Sequence, residues 1–178
     1  PILAACVLTD EPIILRNVPD IADVRVMFEL LESLGASVEN LAPGTHRVHL
    51  ETLSTTTLDA TLCSRIRASI LLAGPMVGRA GSVTLPPPGG DVIGRRRVDT
   101  HFHGLQALGA NFDLDGGYIL QTDGLIGAEI FLDEPSVTGT ENVLMAAAVA
   151  KGTTTIMNAA SEPHVQGLCR MLISMGCE

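Results

Sequence analysis

Hydrophobic positions in this chain fall into a series that repeats. An apolar stretch too uniform for a surface helix comes first, then a short strand-like run, then a helix with one apolar face. The uniform stretches are Ile2-Leu-Ala-Ala-Cys-Val-Leu8, Ala68-Ser-Ile-Leu-Leu-Ala73 and Val143-Leu-Met-Ala-Ala-Ala-Val149. A helix apolar on every side must be enclosed on every side. Each amphipathic helix closes on a glycine at its C-terminal end, in Leu34-Gly35-Ala36, Leu108-Gly109-Ala110 and Met175-Gly176-Cys177. Recurrence of this kind predicts three units of one design, at about 1–51, 58–122 and 127–178.

In the first unit the pattern predicts helix over 2–8 and strand over 12–18. It then predicts a helix capped by Asp20, with Val24, Met27, Leu31 and Leu34 on its apolar face, and a hairpin turning at Ala42-Pro43-Gly44. The second unit reads as an apolar helix over 63–73, strand over 82–85, a long loop, helix over 99–108 and a hairpin at Gly116-Gly117. A strand over 130–132 leads into the third unit, with helix over 141–150, strand over 153–157 and helix over 162–175. Three enclosed helices predict an inside-out α/β domain, helices central and sheets outside. Val143, Leu144 and Ala147 are expected to be almost fully buried, near Ile70 and Ala5. The chain opens without methionine and stops just past an expected helix cap, so both ends read as cut.

Composition narrows the function. Of the 178 residues 46% are hydrophobic and only 3% aromatic, so small and aliphatic side chains must fill the core. Few aromatics and a net charge of −9 argue against a nucleic-acid partner or an anionic membrane surface. No apolar run reaches the ~18 residues of a membrane span. Cys6, Cys63, Cys169 and Cys177 show neither paired nor metal-ligand spacing, so no metal or cofactor is expected. Buried reduced thiols, as in a cytoplasmic protein, are the expected state.

Candidate chemistry concentrates in Leu85-Pro-Pro-Pro-Gly-Gly-Asp-Val-Ile-Gly-Arg-Arg-Arg-Val-Asp-Thr-His101. Three prolines stiffen its entry, two glycines permit unusual backbone angles, and Asp91 follows them directly. Arg95, Arg96 and Arg97 then precede a helix start. An acid beside cations suits a phosphate-bearing substrate that must also receive a proton, although three arginines in a row equally suit a solvated face. The spacing is not that of a P-loop, because Arg95-Arg96 stands where Lys-Ser/Thr is required.

This loop resembles the active-site loop of the UDP-N-acetylglucosamine enolpyruvyl transferases (1-carboxyvinyltransferases). Their pattern is Pro-Gly-Gly-Cys/Asp-x-Ile-Gly-x-Arg-Pro-Val-Asp-x-His, and Pro88 to His101 follows it except that Arg97 replaces the proline. Arg67-Ala68-Ser69-Ile70 and Ser136-Val137-Thr138-Gly139-Thr140-Glu141-Asn142 extend the similarity.

The resemblance implies most of one of two domains, with the active site between them and the second domain supplied by missing chain. It implies phosphoenolpyruvate and UDP-N-acetylglucosamine as partners, transfer of the enolpyruvyl group to the sugar 3′-hydroxyl, and a role in peptidoglycan synthesis. Asp91 matches the proton donor. Arg67, Arg96, Arg97, Val98, Asp99, Thr100, Ser136 and Val137 match substrate-binding positions, and His101 stands just behind them. Glu134 replaces a lysine found in some members, and His103 is expected at the surface. The fragment alone is expected to be inactive, because the family's lysine-asparagine pair and catalytic aspartate lie outside it. Fosfomycin alkylates a loop cysteine in the family, so an aspartate at 91 implies resistance. A free aspartate has a pKa of ~3.9, so proton donation near neutrality needs burial or bound anion to raise it against the arginines. A 5-enolpyruvylshikimate-3-phosphate synthase-like transferase and a non-catalytic nucleotide-sugar-binding domain are the competing readings.

Overall fold

A computed structural model describes residues 1–90 and 97–178. Helix α1 (Ile2–Ala5) tightens into a 3₁₀ turn, Cys6–Leu8, before strand β1 (Ile13–Leu15). Helix α2 (Ala22–Ser33) and the hairpin of β2 (Ser37–Ala42) and β3 (Thr45–His49) follow. Next come α3 (Ala60–Arg65), a 3₁₀ segment Arg67–Leu72, α4 (Ala73–Ala80) and β4 (Ser82–Leu85). Beyond the loop lie α5 (Asp99–Ala107) and the hairpin of β5 (Asn111–Leu114) and β6 (Tyr118–Gln121). The last elements are β7 (Glu129–Phe131), α6 (Val137–Ala147), β8 (Thr155–Met157) and α7 (Pro163–Ser174).

Each sheet recruits strands from its own stretch of chain. The first has the antiparallel order β1-β3-β2, the second repeats it as β4-β6-β5, and the third pairs β7 with β8 in parallel. Helices occupy the centre, as the enclosed stretches require. Ala4, Ala5, Val7, Leu72, Ala73, Met76, Val77, Val143, Met145 and Ala146 are inaccessible to solvent. Enclosing a leucine such as Leu72 contributes about 1.5–3 kcal/mol. Strands face this centre at alternate positions only: Val48, Leu85, Leu120 and Ile130 are buried, while Leu114 and Phe131 are exposed.

Close helix approach depends on small residues. A β-carbon on Gly74 would overlap the backbone of Asn142, and one on Gly104 would overlap Val143 Cγ2. These two glycines let α4 and α5 press against α6. Phe102 holds α5 to the second sheet, stacked on Phe112 at 4.3 Å and tilted against Tyr118 at 4.8 Å.

Several local expectations need correction. Leu144 and Ala147 are half-buried, whereas Val143, Met145 and Ala146 are the positions of α6 enclosed completely. The strand expected over 12–18 contracts to Ile13–Leu15, since Asn17 takes a left-handed φ of 57°. Asp20 does not cap α2; its carboxylate accepts from Arg25 Nε at 2.6 Å. The single helix expected over 63–73 is broken at Ile66, whose backbone is extended. Helix α6 starts at Val137 rather than Glu141, because Ser136 Oγ accepts from the Gly139 N–H at 3.1 Å and caps it.

Candidate active site

The break at Ile66 receives the long loop. It frees the Cys63 carbonyl, which accepts the Gly89 N–H at 2.9 Å and also the Ser69 hydroxyl at 3.3 Å. A β-carbon on Gly89 would overlap the Ser64 backbone, and Gly90, at φ 93°, lies against Arg67. The Pro-Gly-Gly entry therefore docks beside the start of the 3₁₀ segment. Arg67 heads that segment, half-buried, rather than sitting inside a helix.

The loop returns at Arg97, and Arg67 Nη2 donates to the Arg97 carbonyl at 3.2 Å. The guanidinium of Arg97 grips Asp99 at 2.6 Å and Asp133 at 2.5 Å, with Glu134 at 3.9 Å. The Thr100 hydroxyl donates to Asp133 Oδ1 at 2.9 Å. These contacts fasten the loop exit and the start of α5 to the connection between β7 and α6. The arginine holds both Asp99 and Asp133 below the usual carboxylate range, with the Thr100 hydroxyl the leading cause at Asp133. Gly139 is closely packed here, since a β-carbon would come within 3.0 Å of Ser136 Oγ and 3.2 Å of Thr100 Cγ2.

Arg67, Arg97, Val98, Asp99, Thr100, Ser136 and Val137 thus share one rim, formed by the starts of the 3₁₀ segment, α5 and α6. Val98 and Val137 are half-buried on it. The proton-donor candidate Asp91 and the binding candidate Arg96, together with Arg95, lie outside the described residues. Arg97 is engaged by carboxylates, which makes it a tie between elements. His103 is exposed, as expected.

His101 sits behind the rim, 2% exposed. Burial, reinforced by the charge of Arg67, pushes its pKa down to about 4 against the pull of Asp99. Its Nε2 is 3.1 Å from Thr138 Oγ1, and its Nδ1 is 2.7 Å from Asn142 Nδ2. Asp133, Thr138 and Asn142 received no role from the sequence. The charge and hydroxyls flanking Ser136 were the available signal. Glu141 was also missed: it is 1% exposed, burial raises its pKa, and Oε1 finds no partner among the described residues.

Cys6 and Cys63 are buried thiols whose pKa values burial raises to about 12 and about 11, whereas Cys169 and Cys177 are only half-buried. Among the described residues no cluster of His, Cys, Asp or Glu is arranged to hold a metal ion. No described helix is long and apolar enough to cross a membrane.

A sequence model of the EPSP synthase (3-phosphoshikimate 1-carboxyvinyltransferase) family matches residues 1–178. The chain belongs to that family. Among curated relatives, the UDP-N-acetylglucosamine 1-carboxyvinyltransferase of Treponema pallidum (strain Nichols) is 53% identical over 176 residues, 99% of this chain and 41% of its own length. Those of Treponema denticola and Bradyrhizobium diazoefficiens are each 52% identical over the whole chain, at 42% and 41% of their lengths. The chain therefore spans about two fifths of the relatives it matches. In fold it is similar to the enolpyruvyl transferase NikO from Streptomyces tendae, with a TM-score of 0.85 at 23% identity. That match covers 99% of this chain and 42% of that one. An EPSP synthase from Acinetobacter baumannii gives 0.74 at 15% identity, with the same coverage. The inside-out α/β arrangement is thus that of an enolpyruvyl transferase domain.

Proposed function

We propose that this chain is most of one domain of an enzyme that transfers the enolpyruvyl group of phosphoenolpyruvate to the 3′-hydroxyl of UDP-N-acetylglucosamine and releases phosphate. The observation that carries this reading is identity of about half over the whole chain with proteins named for that reaction. The rim supports it, because cationic and hydroxyl-bearing side chains from three helix starts surround the place where the long loop leaves and returns. Such a reaction needs an acid for the methylene carbon of phosphoenolpyruvate, a base for the hydroxyl and cations for the phosphate. In this reading Asp91 gives the proton. Arg67 and Arg96 meet anionic oxygens, and Val98, Asp99 and Thr100 line the uridine end. Ser136 and Val137 meet the nucleotide sugar, and Arg97 keeps the loop exit beside them. The base and further cations come from the rest of the protein. The role is the entry to peptidoglycan synthesis, in the cytoplasm.

The test is phosphate release by the full-length protein carrying this chain, with phosphoenolpyruvate and either UDP-N-acetylglucosamine or shikimate 3-phosphate. Turnover is expected with the nucleotide sugar alone. Turnover with shikimate 3-phosphate instead would move the chain to the other acceptor class. Binding of the nucleotide sugar without any turnover would leave only a binding domain.

A further inference from the structure

Three hydroxyls stand at the entry of α6, on Ser136, Thr138 and Thr140. That of Thr140 is fully engaged internally: it donates to the Ser136 carbonyl at 2.7 Å and accepts from the Ala160 N–H at 3.0 Å. That of Ser136 accepts the capping N–H of Gly139. Thr138 instead meets His101, and the far side of the imidazole ring decides which of the two donates.

Asn142 Nδ2 lies 2.8 Å from the Ile70 carbonyl, while Oδ1 accepts from the Gly74 N–H at 2.8 Å. A carbonyl only accepts and a backbone N–H only donates, so the amide has one orientation. Its second N–H must go to His101 Nδ1, which therefore carries no proton. In the neutral ring the proton is on Nε2, and Nε2–H donates to Thr138 Oγ1. A hydroxyl that accepts from His101 keeps its own proton to give, and among the described residues nothing takes it. Thr138 is half-exposed, beside Val137 and Ser136 on the rim.

We infer that Thr138 is a ligand contact whose hydroxyl is turned outward as a donor by the Asn142–His101 relay, with His101 as its positioning residue. The ligand group it fits is an acceptor oxygen. Resting on the function proposed above, that oxygen belongs to UDP-N-acetylglucosamine, on its diphosphate or on its sugar. Specificity follows from the fixed polarity, because a ligand group that can only donate meets a donor.

The experiment uses the full-length protein with ¹⁵N-labelled histidine. Long-range ¹H–¹⁵N spectra should show His101 as the Nε2–H tautomer, with Nδ1 bare at pH 7. In calorimetric titrations Thr138→Val should weaken UDP-N-acetylglucosamine binding about five- to ten-fold, the loss of roughly one hydrogen bond, and Thr138→Ser should restore it to within about two-fold. Retention of the valine penalty with UDP places the acceptor on the diphosphate; its loss places the acceptor on the sugar. An Nδ1–H tautomer, or native affinity in Thr138→Val, overturns the inference. If Ser136→Ala still weakens binding in that case, the functional reading survives. Native protein that fails to bind UDP-N-acetylglucosamine overturns both.

Discussion

Arg97 and Asp133 meet at 2.5 Å across the gap between the loop exit and the entry of α6. Asp99 at 2.6 Å and Glu134 at 3.9 Å share the same guanidinium. Exposed ion pairs add little to stability, so the main effect of this cluster is geometric. Arg97→Met should leave the melting temperature nearly unchanged but weaken UDP-N-acetylglucosamine binding several-fold, since three carboxylates then face one another beside the site. Added salt should narrow the gap between variant and native protein, because it screens that repulsion. Titration at low and high ionic strength checks both points, and equal affinities at low salt would show that Arg97 does not shape the binding site.

His101 makes stability depend on pH. Its folded pKa of about 4 lies below the ordinary value of 6.5, chiefly through burial. The unfolded chain therefore binds a proton before the folded chain does. Stability is full above pH 6.5, falls as pH drops towards 4 and levels off below. The span corresponds to about 3 kcal/mol. Arg67 acts in the same direction as burial and Asp99 against it. Glu141, whose pKa is raised, has the opposite sign, so the histidine contribution must be read as a difference. Urea unfolding of native chain and His101→Gln at pH 7.5 and pH 4.5 should show the loss in native protein and little of it in the variant.

The fold was largely legible because its signals are periodic. Enclosed helices show as uninterrupted apolar runs, and the glycine closing each amphipathic helix marks where the chain turns into the next strand. The break at Ile66 was not legible: the apolar pattern runs straight through it. At the break the Cys63 carbonyl bonds to Gly89 and Ser69 instead of to the next helical turn, and periodicity does not identify those partners. Likewise a motif proposes Ser136 and Val137 as candidates, but the contact between Asn142 and His101 joins residues 41 positions apart and needs coordinates. Asp20 was misread because an acid before a helix normally caps it, and here Arg25 takes the carboxylate first.

Asp91 carries the proposed proton donation, so its variants separate chemistry from binding. A carboxylate is a much weaker nucleophile towards an epoxide than a thiolate, and the native enzyme should resist fosfomycin. Asp91→Cys should keep turnover, because a thiol of pKa ~8.5 still donates a proton, and should become sensitive. Asp91→Asn should lose about 10² to 10⁴ in rate while binding UDP-N-acetylglucosamine normally. Full turnover in Asp91→Asn, or covalent labelling of the native protein as fast as Asp91→Cys, would show that another group gives the proton.

Gly104 and Val143 set the distance between α5 and α6, and with it the distance between Thr100 and His101 on one side and Ser136 and Thr138 on the other. A β-carbon at 104 would overlap Val143 Cγ2, so the helices must separate or the valine must turn. Overpacking of this kind costs about 1–3 kcal/mol, against which alanine regains up to ~1 kcal/mol of helix propensity over glycine. Gly104→Ala should therefore destabilise the chain, and Val143→Ala alone should cost about 2 kcal/mol through lost burial and a small cavity. Combined, the two changes should be less harmful than their sum, because the added methyl enters space the valine vacated. Nucleotide-sugar affinity should fall in Gly104→Ala and recover in the double variant, following the helix separation rather than stability. A Gly104→Ala penalty that is the same with valine or alanine at 143 would mean that this contact does not set the spacing.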